Sequence, residues 1–207
     1  MTCAAPNPRP HSSTSLPPYD AIVLAGARSE RLSGLDKAEI TVGGARLIDR
    51  ALEAVAGAGT IVVVGPPRRV VREVVWTTER PPGGGPAAAL GAGIGCVSAE
   101  IVVLLAVDLP FVGAPLVSRL VGDLARNAGR DGVILCDVSG RDQPLAGAYG
   151  RRRLEALLGA GGAPAGMSLK AVLGPLQVKR LTQGEATHDC DTWADVEAAE
   201  AMLEAGR

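Results

Sequence analysis

Unbroken apolar runs alternate along this chain with segments in which apolar residues recur every three to four positions. The runs predict β-strands, because a strand buried on both faces shows no polar alternation. These strands are expected at residues 21–24, 60–64, 74–76, 101–107, 132–136, 146–149 and 176–180. The periodic segments predict helices at residues 47–56, 86–97, 114–127, 151–158, 168–173 and 193–204.

This alternation of strands and helices predicts an α/β fold, in which helices cover both faces of a mainly parallel sheet in three α/β/α layers. At 207 residues we expect a single domain, residues 19–207, without an internal repeat or a linker. Residues 1–18 are rich in Pro, Ser and Thr and are interpreted as a disordered tail. Ligands are expected at the carboxyl ends of the strands.

Composition narrows the class of function. A net charge of −1 arises from 21 basic and 22 acidic residues without a long block of like charge, which argues against a nucleic-acid or membrane surface. The longest apolar run, residues 101–107, is too short to span a bilayer. The cysteines lack CxxC spacing, and Cys96 and Cys136 lie in apolar segments typical of inert core thiols. A pocket in a cytoplasmic protein is therefore expected.

The first strand is followed by small residues and then by cations. Residues 25–27 leave the backbone nearly bare where the strand at residues 21–24 ends, and Arg28, Arg31 and Lys37 come next. Exposed backbone N–H groups and flexible cations are what a triphosphate requires. The alternative is a solvated charged turn after a core strand.

Asp108 directly follows the apolar run at residues 101–107, and Pro110 then turns the chain. A carboxylate at the end of a buried strand is a candidate ligand for magnesium, which is commonly held by one or two carboxylates and by substrate phosphates. Alternatively, Asp108 caps the turn before Pro110 or the helix that follows.

The segment at residues 188–192 leads into the last helix. If it is extended, Asp189 and Asp191 share one face, so that Asp191 could join Asp108 on a metal ion. Alternatively, Asp191 or Thr192 caps the helix.

Two other turns could contact a ligand. Residues 80–86 contain three consecutive glycines before a helix, which permits close approach by a base or a sugar. Arg141 and Gln143 precede Pro144, which is expected to fix a turn. In that turn the two side chains could present their hydrogen-bond donors to a second substrate. The alternatives are a flexible surface turn in the first case and an ordinary hairpin in the second.

Together these segments resemble the molybdenum cofactor guanylyltransferases, nucleotidyltransferases with a Rossmann-like fold of the GT-A type, over residues 20–204. That family has the loop pattern LAGGxxxRMGGxDK, and residues 24–37 have the same length. The match falls on Arg31, Asp36 and Lys37, whereas the departures from it are Ala27, Leu32 and Ser33.

Later segments extend the resemblance. Glu79 precedes Gly85 and Pro86 as an acidic residue precedes the family's GPLAG turn, which is expected to read the purine. The segment from Asp108 to Pro110 is similar to the family's metal-binding D-x-P. The dipeptide of Gln143 and Pro144 is similar to the family's QP on the pterin side.

The resemblance leaves a choice of base. The segment at residues 189–194 is closer to the DxDTPED of the molybdenum cofactor cytidylyltransferases than to the guanylyl pattern NVNTPE. Gly26 and the Gly85 turn follow the guanylyl form instead. Glu79 also favours GTP, since a carboxylate can accept hydrogen bonds from the N1–H and N2–H edge of guanine and none from the corresponding edge of cytosine.

The resemblance implies magnesium-dependent transfer of GMP from GTP to the phosphate of molybdopterin, with release of pyrophosphate and, as a further partner, a recipient molybdoenzyme. It implies nucleotide-binding roles for Leu24, Ala25, Gly26, Ala27, Lys37, Glu79, Gly85 and Asp108. It also implies catalytic roles for Lys37, Arg31 and Asp108, metal ligation by Asp108 and Asp191, and pterin contacts by Arg141 and Gln143. The alternatives are cytidylyl transfer to the same cofactor, nucleotidyl transfer to a sugar phosphate, and nucleotide binding without turnover.

Overall fold

The structure, a computed structural model, describes residues 16–26, 32, 34–127, 129–159 and 167–206. The predictions for Ala27, Arg28, Arg31 and Ser33, and most of the predicted tail, lie outside the described residues.

Strands and helices alternate as the apolar pattern predicts. The strands are β1 (Tyr19–Leu24), β2 (Thr41–Val42), β3 (Ala45–Arg46), β4 (Ile61–Val64), β5 (Val75–Thr77), β6 (Ile101–Ala106), β7 (Gly132–Cys136), β8 (Asp142–Gly150) and β9 (Val178–Thr182). The helices are α1 (Leu47–Ala54), α2 (Gly85–Ile94), α3 (Ala114–Arg126), α4 (Arg151–Leu158), α5 (Leu169–Leu173) and α6 (Trp193–Ala205).

Seven strands form one sheet in the order β5-β4-β1-β6-β8-β7-β9. Strand β1 is central and pairs in parallel with β4 on one side and β6 on the other, whereas β8 runs antiparallel to both of its neighbours. Because the chain moves from β1 to β4 in one direction and later to β6 in the other, a topological switch lies at the carboxyl ends of these strands.

Two apolar layers cover the sheet. Helices α1 and α3 pack on one face, and α3 does so through Val117, Leu120, Val121 and Leu124, whose helical spacing puts them on one side. Helices α2, α4 and α5 pack on the other face, over side chains such as Ile22 and Leu104. The expected three-layer α/β/α fold with a mainly parallel sheet is thus confirmed.

The hairpin of β2 and β3 was not predicted, because each strand has only two residues and no apolar run announces it. It packs near α6, where Gly43 N donates to Glu200 Oε1 at 2.8 Å. Strand β8 also starts four residues before the predicted strand, and its pairing with β7 shifts register between Ile134 and Leu135. The expectation that Pro144 fixes a turn is therefore wrong, since Pro144 lies within β8 beside that irregularity.

Two further points concern composition. Cys136 is buried as expected, but the core interpretation of Cys96 is wrong, because this residue is exposed in the turn that follows α2. In the described part of the chain, no helix is both long and apolar enough to cross a bilayer.

Candidate active site

The floor of the site is formed where β1, β4 and β6 end side by side. Val107 N donates to Leu24 O at 3.2 Å, and Ala25 N donates to Val64 O at 2.8 Å. Gly65 follows β4 with φ +150°, and a Cβ there would lie 2.8 Å from both C and O of Ala25. A glycine is thus required for the backbone after β4 to lie against residues 25 and 26.

Arg68 connects the two described ends of the loop between β1 and Lys37. Its guanidinium donates to Ala25 O and to Asp36 Oδ2, each at 2.8 Å, and to Pro66 O at 2.8 Å. The side chain is 7% exposed. A planar guanidinium with several fixed donors is suited to hold three acceptors at once, so Arg68 positions the base of this loop.

Asp36 in turn positions Lys37. Its Oδ1 accepts from Ala38 N at 3.1 Å and so caps the single 3₁₀ turn Lys37–Glu39. The Lys37 side chain is only 8% exposed. The lysine therefore enters the site from a backbone that Asp36 and Arg68 hold in place.

Lys37 brings two carboxylates together. Its Nζ donates to Asp108 Oδ2 at 3.1 Å and also to Asp191 Oδ1, although these aspartates are 83 residues apart in sequence, at positions 108 and 191. Asp108 follows β6 as predicted, and Cys190 N donates to Asp108 O at 2.9 Å, which fixes the closing segment against the end of that strand. The structure thus unites the two predicted metal ligands with the predicted catalytic lysine.

The alternative that Asp191 caps the last helix is wrong. Thr192 is the N-cap of α6, and it forms a capping box in which Asp195 N donates to Thr192 Oγ1 at 3.3 Å and Thr192 N donates to Asp195 Oδ2 at 2.7 Å. Because Thr192 and Asp195 satisfy the helix start, the side chain of Asp191 faces Lys37 and Asp108 instead.

The charges of these groups are strongly coupled. Burial by itself lowers the pKa of Lys37, but the charges and hydrogen bonds of Asp108 and Asp191 outweigh it and raise that pKa above its usual value. Burial raises the pKa of Asp108 above that of an ordinary aspartate, against the opposing effect of the Lys37 ammonium. Among the groups that act on Asp108, the Lys37 ammonium therefore favours the ionised carboxylate, whereas burial and the neighbouring aspartates oppose it.

The donor set fits a hard divalent cation. The Lys37 ammonium lies between the Asp108 and Asp191 carboxylates, at the carboxyl edge of the sheet. It marks the position where the two carboxylates would balance the charge of a metal ion. Among the described residues, no group of three or more His, Cys, Asp or Glu side chains could hold a metal ion. Two carboxylates are sufficient for magnesium when substrate phosphates and water complete the shell.

Glu79 and the glycine turn lie beside this floor. A Cβ on Gly26 would lie 3.7 Å from Glu79 Oε2, and Glu79 Oε1 accepts from Gly83 N at 3.2 Å. Gly85 begins α2 with φ +82°, a conformation that side chains disfavour. The two predicted base-side elements are therefore adjacent to the predicted phosphate-side backbone.

Arg141 and Gln143 line a neighbouring cavity of about 550 Å³, whose walls also include Lys170, Tyr149 and Arg180. The amide of Gln143 donates to Thr187 O at 3.4 Å. Since β8 runs antiparallel to β6, the start of β8 lies at the same edge of the sheet as Asp108.

Sequence reasoning missed Gly65 and Arg68. Both follow β4, which is the parallel neighbour of β1, so both lie at the carboxyl edge where ligands are expected. The signal that could have identified them was a glycine and a cation directly after a predicted central strand.

The fold and the floor of the site define an α/β domain whose candidate site lies where β1, β4 and β6 end. Residues 21–180 match the family model described as MobA-like NTP transferase domain, and the chain belongs to this family. The resemblance inferred from the sequence is thereby confirmed at the level of the family.

Individual relatives agree with this assignment. The chain is 28% identical over 178 residues to the molybdenum cofactor guanylyltransferase of Pseudomonas entomophila, across 84% of this chain and 92% of that protein. It is 35% identical over 108 residues to the molybdenum cofactor guanylyltransferase of Acidiphilium cryptum, across 48% of this chain, and the match spans about half of that relative, 55%.

A solved structure shares the fold. The molybdopterin-guanine dinucleotide biosynthesis protein A of Archaeoglobus fulgidus superposes with a TM-score of 0.71 at 20% sequence identity, covering 90% of this chain and 99% of that chain. The expected Rossmann-like architecture is confirmed by this likeness.

Proposed function

We propose that this chain transfers GMP from GTP to the terminal phosphate of molybdopterin cofactor, forming molybdopterin guanine dinucleotide and releasing pyrophosphate. The observation that carries the proposal is the convergence of Lys37, Asp108 and Asp191 at the ends of β1 and β6. The relatives named molybdenum cofactor guanylyltransferase supply the choice of substrates.

In the proposed reaction, a phosphate oxygen of molybdopterin attacks the α-phosphorus of GTP. One P–O bond forms, the bond from the α-phosphorus to its bridging oxygen breaks, and pyrophosphate carries away the electron pair. The attacking phosphate is already ionised at neutral pH, so a strong general base is unnecessary. Alignment of the two phosphates and neutralisation of their charge then supply most of the rate.

The chain's own residues divide this work. Asp108 and Asp191 would hold Mg²⁺, which supplies positive charge to the phosphate oxygens when bound. Lys37 would contact the triphosphate, and the backbone N–H of Gly26 would donate to its oxygens. Arg31 and Ala27, which lie outside the described residues, are proposed as a further cation and a further backbone donor in the same loop.

The acceptor is proposed to bind beside Arg141 and Gln143. Their cavity carries two further cations, Lys170 and Arg180, of which Arg180 is paired with Asp142 in the same wall, and apolar residues that include Leu173 and Leu176. Cations suit a phosphate, and a partly apolar wall suits a flat heterocycle. The end of the cavity at Arg141 and Gln143 lies at the carboxyl edge of the sheet, where an acceptor phosphate would be on the same side of the sheet as Asp108.

Guanine is the proposed base, since the carboxylate of Glu79 lies against Gly26 and can accept from the N1–H and N2–H edge. A second candidate is CTP, which is favoured by the cytidylyl-like segment at residues 189–194. Asp191 of this segment lies beside Lys37, which supports a proposed role at the metal that is compatible with either base.

The test is a competition between bases. The protein is incubated with Mg²⁺, molybdopterin and equal amounts of GTP and CTP, and products are separated by chromatography and identified by mass. We expect the guanine dinucleotide from the natural chain and from the control Asp123→Asn, whose aspartate pairs with Lys179 away from the site. We expect none from Asp108→Asn.

Other outcomes discriminate among the alternatives. A cytosine dinucleotide would show that residues 189–194 identify the base. Absence of either dinucleotide, with nucleotide binding intact, would contradict the proposed acceptor. A trial with sugar phosphates would then separate transfer to another phosphate from nucleotide binding without turnover.

A further inference from the structure

We infer that the Lys37 ammonium and the metal ion compete for one position between Asp108 and Asp191, so that the metal can enter only when Lys37 turns away towards the triphosphate. The inference rests on the metal role proposed above for the two aspartates. It adds a sequence of events to that role, in which nucleotide and metal bind in a coupled manner.

Geometry makes the two cations exclusive. Nζ of Lys37 donates to Oδ2 of Asp108 at 3.1 Å and to Oδ1 of Asp191, so it lies where the oxygens of both carboxylates converge. A magnesium ion bound to these oxygens at about 2.1 Å would occupy the same space. Two cations that close together would also repel each other strongly in a partly buried site.

The structure allows the side chain to leave without moving the backbone. Asp36 caps the turn that carries Lys37, and Arg68 holds Asp36 against Ala25. The lysine stem has four flexible carbons, so its ammonium can exchange between anionic partners while its Cα stays fixed. A triphosphate beside Gly26 would offer such a partner.

Charge balance favours the exchange once nucleotide is present. A divalent ion carries two positive charges to the Asp108 and Asp191 carboxylates, whereas the Lys37 ammonium carries one. The released ammonium then neutralises phosphate oxygens instead of carboxylates. Metal binding without nucleotide lacks this second gain, since no triphosphate is then present to accept the displaced lysine.

The expected consequence is weak metal binding by the protein alone. Manganese binding can be measured without nucleotide by electron paramagnetic resonance, which distinguishes free from bound Mn²⁺. Titrations at pH 8 compare the natural chain with Lys37→Met. We expect the variant to bind Mn²⁺ about tenfold more tightly or better, as removal of a close like charge should allow.

Two variants make the result specific. Lys179→Met removes a different lysine that pairs with an aspartate, Asp123 at 2.8 Å, and should leave Mn²⁺ affinity unchanged. The double variant Lys37→Met, Asp108→Asn should lose the gain, because the tighter site requires the Asp108 carboxylate. Circular dichroism of each variant verifies that it is folded.

A second measurement uses the natural chain and does not depend on the folding of any variant. Saturating Mn²⁺ should displace the Lys37 ammonium and raise its rate of acylation by acetic anhydride several-fold, as read by peptide mass spectrometry. Lys179 provides the internal reference, because its rate should not change.

Equal Mn²⁺ affinity in the natural chain and in Lys37→Met, or an acylation rate at Lys37 that saturating Mn²⁺ leaves unchanged, would overturn the exchange. The proposed function would survive either result if Asp108→Asn still abolished the dinucleotide. If no variant bound Mn²⁺ even with GTP present, the metal role of Asp108 would fail as well, and the exchange with it.

Discussion

Asp20 and Asp108 lie at opposite edges of the same sheet, near the start of β1 and just after β6. Asp20 is 3% exposed and accepts three backbone N–H groups, from Thr60 at 2.8 Å, Ser98 at 2.7 Å and Ala99 at 2.8 Å. Asp108 accepts instead from the ammonium of Lys37.

The partners give the two carboxyls opposite pKa shifts. Burial of Asp20 acts to raise its pKa, but the three backbone hydrogen bonds outweigh this and lower it. For Asp108, burial prevails over Lys37 and raises the pKa. Backbone partners cannot exchange for a ligand, whereas a lysine side chain can. Fixed backbone partners thus surround the aspartate at the amino ends of the strands, the structural edge, whereas an exchangeable lysine meets the aspartate at their carboxyl ends, the reactive edge, where the active site is proposed.

The largest expected effect is that of a substitution at Asp108, the aspartate at the reactive edge. Asp108→Asn keeps the size of the side chain but removes the charge that would hold the metal, so we expect turnover to fall by about 10³-fold. The midpoint of thermal unfolding should change little. Steady-state kinetics and a thermal melt measure both, and a large loss of stability with normal turnover would reverse the assignment.

The second-largest effect is expected from the same substitution at Asp20, the aspartate at the structural edge. Asp20→Asn puts an amide where three backbone donors converge, and we expect the free energy of unfolding to fall by about 3 kcal/mol. Turnover per folded molecule should be preserved, provided that assays are run where the variant remains folded. Urea unfolding followed by circular dichroism gives the stability.

The pH dependence of stability provides a further test of Asp20 with the same variant. The lowered pKa of Asp20 means that its contribution is complete above about pH 4, the ordinary value for an aspartate, and is lost as pH falls through the native-state pKa. Between pH 5 and pH 3 the natural chain should therefore lose more stability than Asp20→Asn. Parallel slopes would contradict this role for Asp20.

A smaller effect is expected from Arg68, a fixed anchor at the reactive edge. Arg68→Met should raise KM for GTP about tenfold, because Ala25 and Asp36 lose the common guanidinium that positions the loop. Compared with Arg68→Met, Arg68→Lys should recover the stability of the natural chain more fully than its KM, since an ammonium lacks the planar arrangement of donors that a guanidinium has. Arg72→Met, which removes an exposed pair with Glu53, is the control and should leave KM unchanged.

The smallest effect separates two helix caps. Thr192→Ala and Ser168→Ala each remove a side chain that accepts from the first turn of a helix, α6 or α5, and each should cost about 1 kcal/mol of stability. Only Thr192→Ala should also raise the Mg²⁺ concentration for half-maximal turnover, by about threefold, because Thr192 adjoins Asp191. Magnesium titrations of both variants provide the measurement.

The sheet and the kind of site could be predicted from the sequence for physical reasons. Apolar runs without alternation mark strands buried on both faces, and Asp108 at the end of such a run necessarily reaches the carboxyl edge. Lys37 was accessible because a small-residue turn and a cation follow β1. These features are local in the chain, so one segment at a time suffices to interpret them.

Features that depend on distant segments were not accessible. Whether Asp191 or Thr192 caps α6 is decided by Asp195, which bonds Thr192, and by Lys37, which bonds Asp191. The role of Arg68 requires Ala25 and Asp36 to be adjacent in space. The predicted turn at Pro144 failed because strand pairing with β7 extends β8 across the proline. The functional roles of all the candidate site residues, Lys37, Asp108 and Asp191 as well as Glu79, Arg141 and Gln143, stay predictions.

The reversal of β8 has a consequence for how this chain can diversify. The turn before β8, residues 137–141, lies at the reactive edge, but it joins β7 to β8 and not the pair β1 and β6, whose register sets the floor of the site. Insertions or deletions in this hairpin would reshape the cavity beside Arg141 while the strands beneath the proposed triphosphate site kept their alignment. Evolution could therefore change the proposed acceptor site independently of the proposed nucleotide site, and a designer could exchange this one hairpin to the same end.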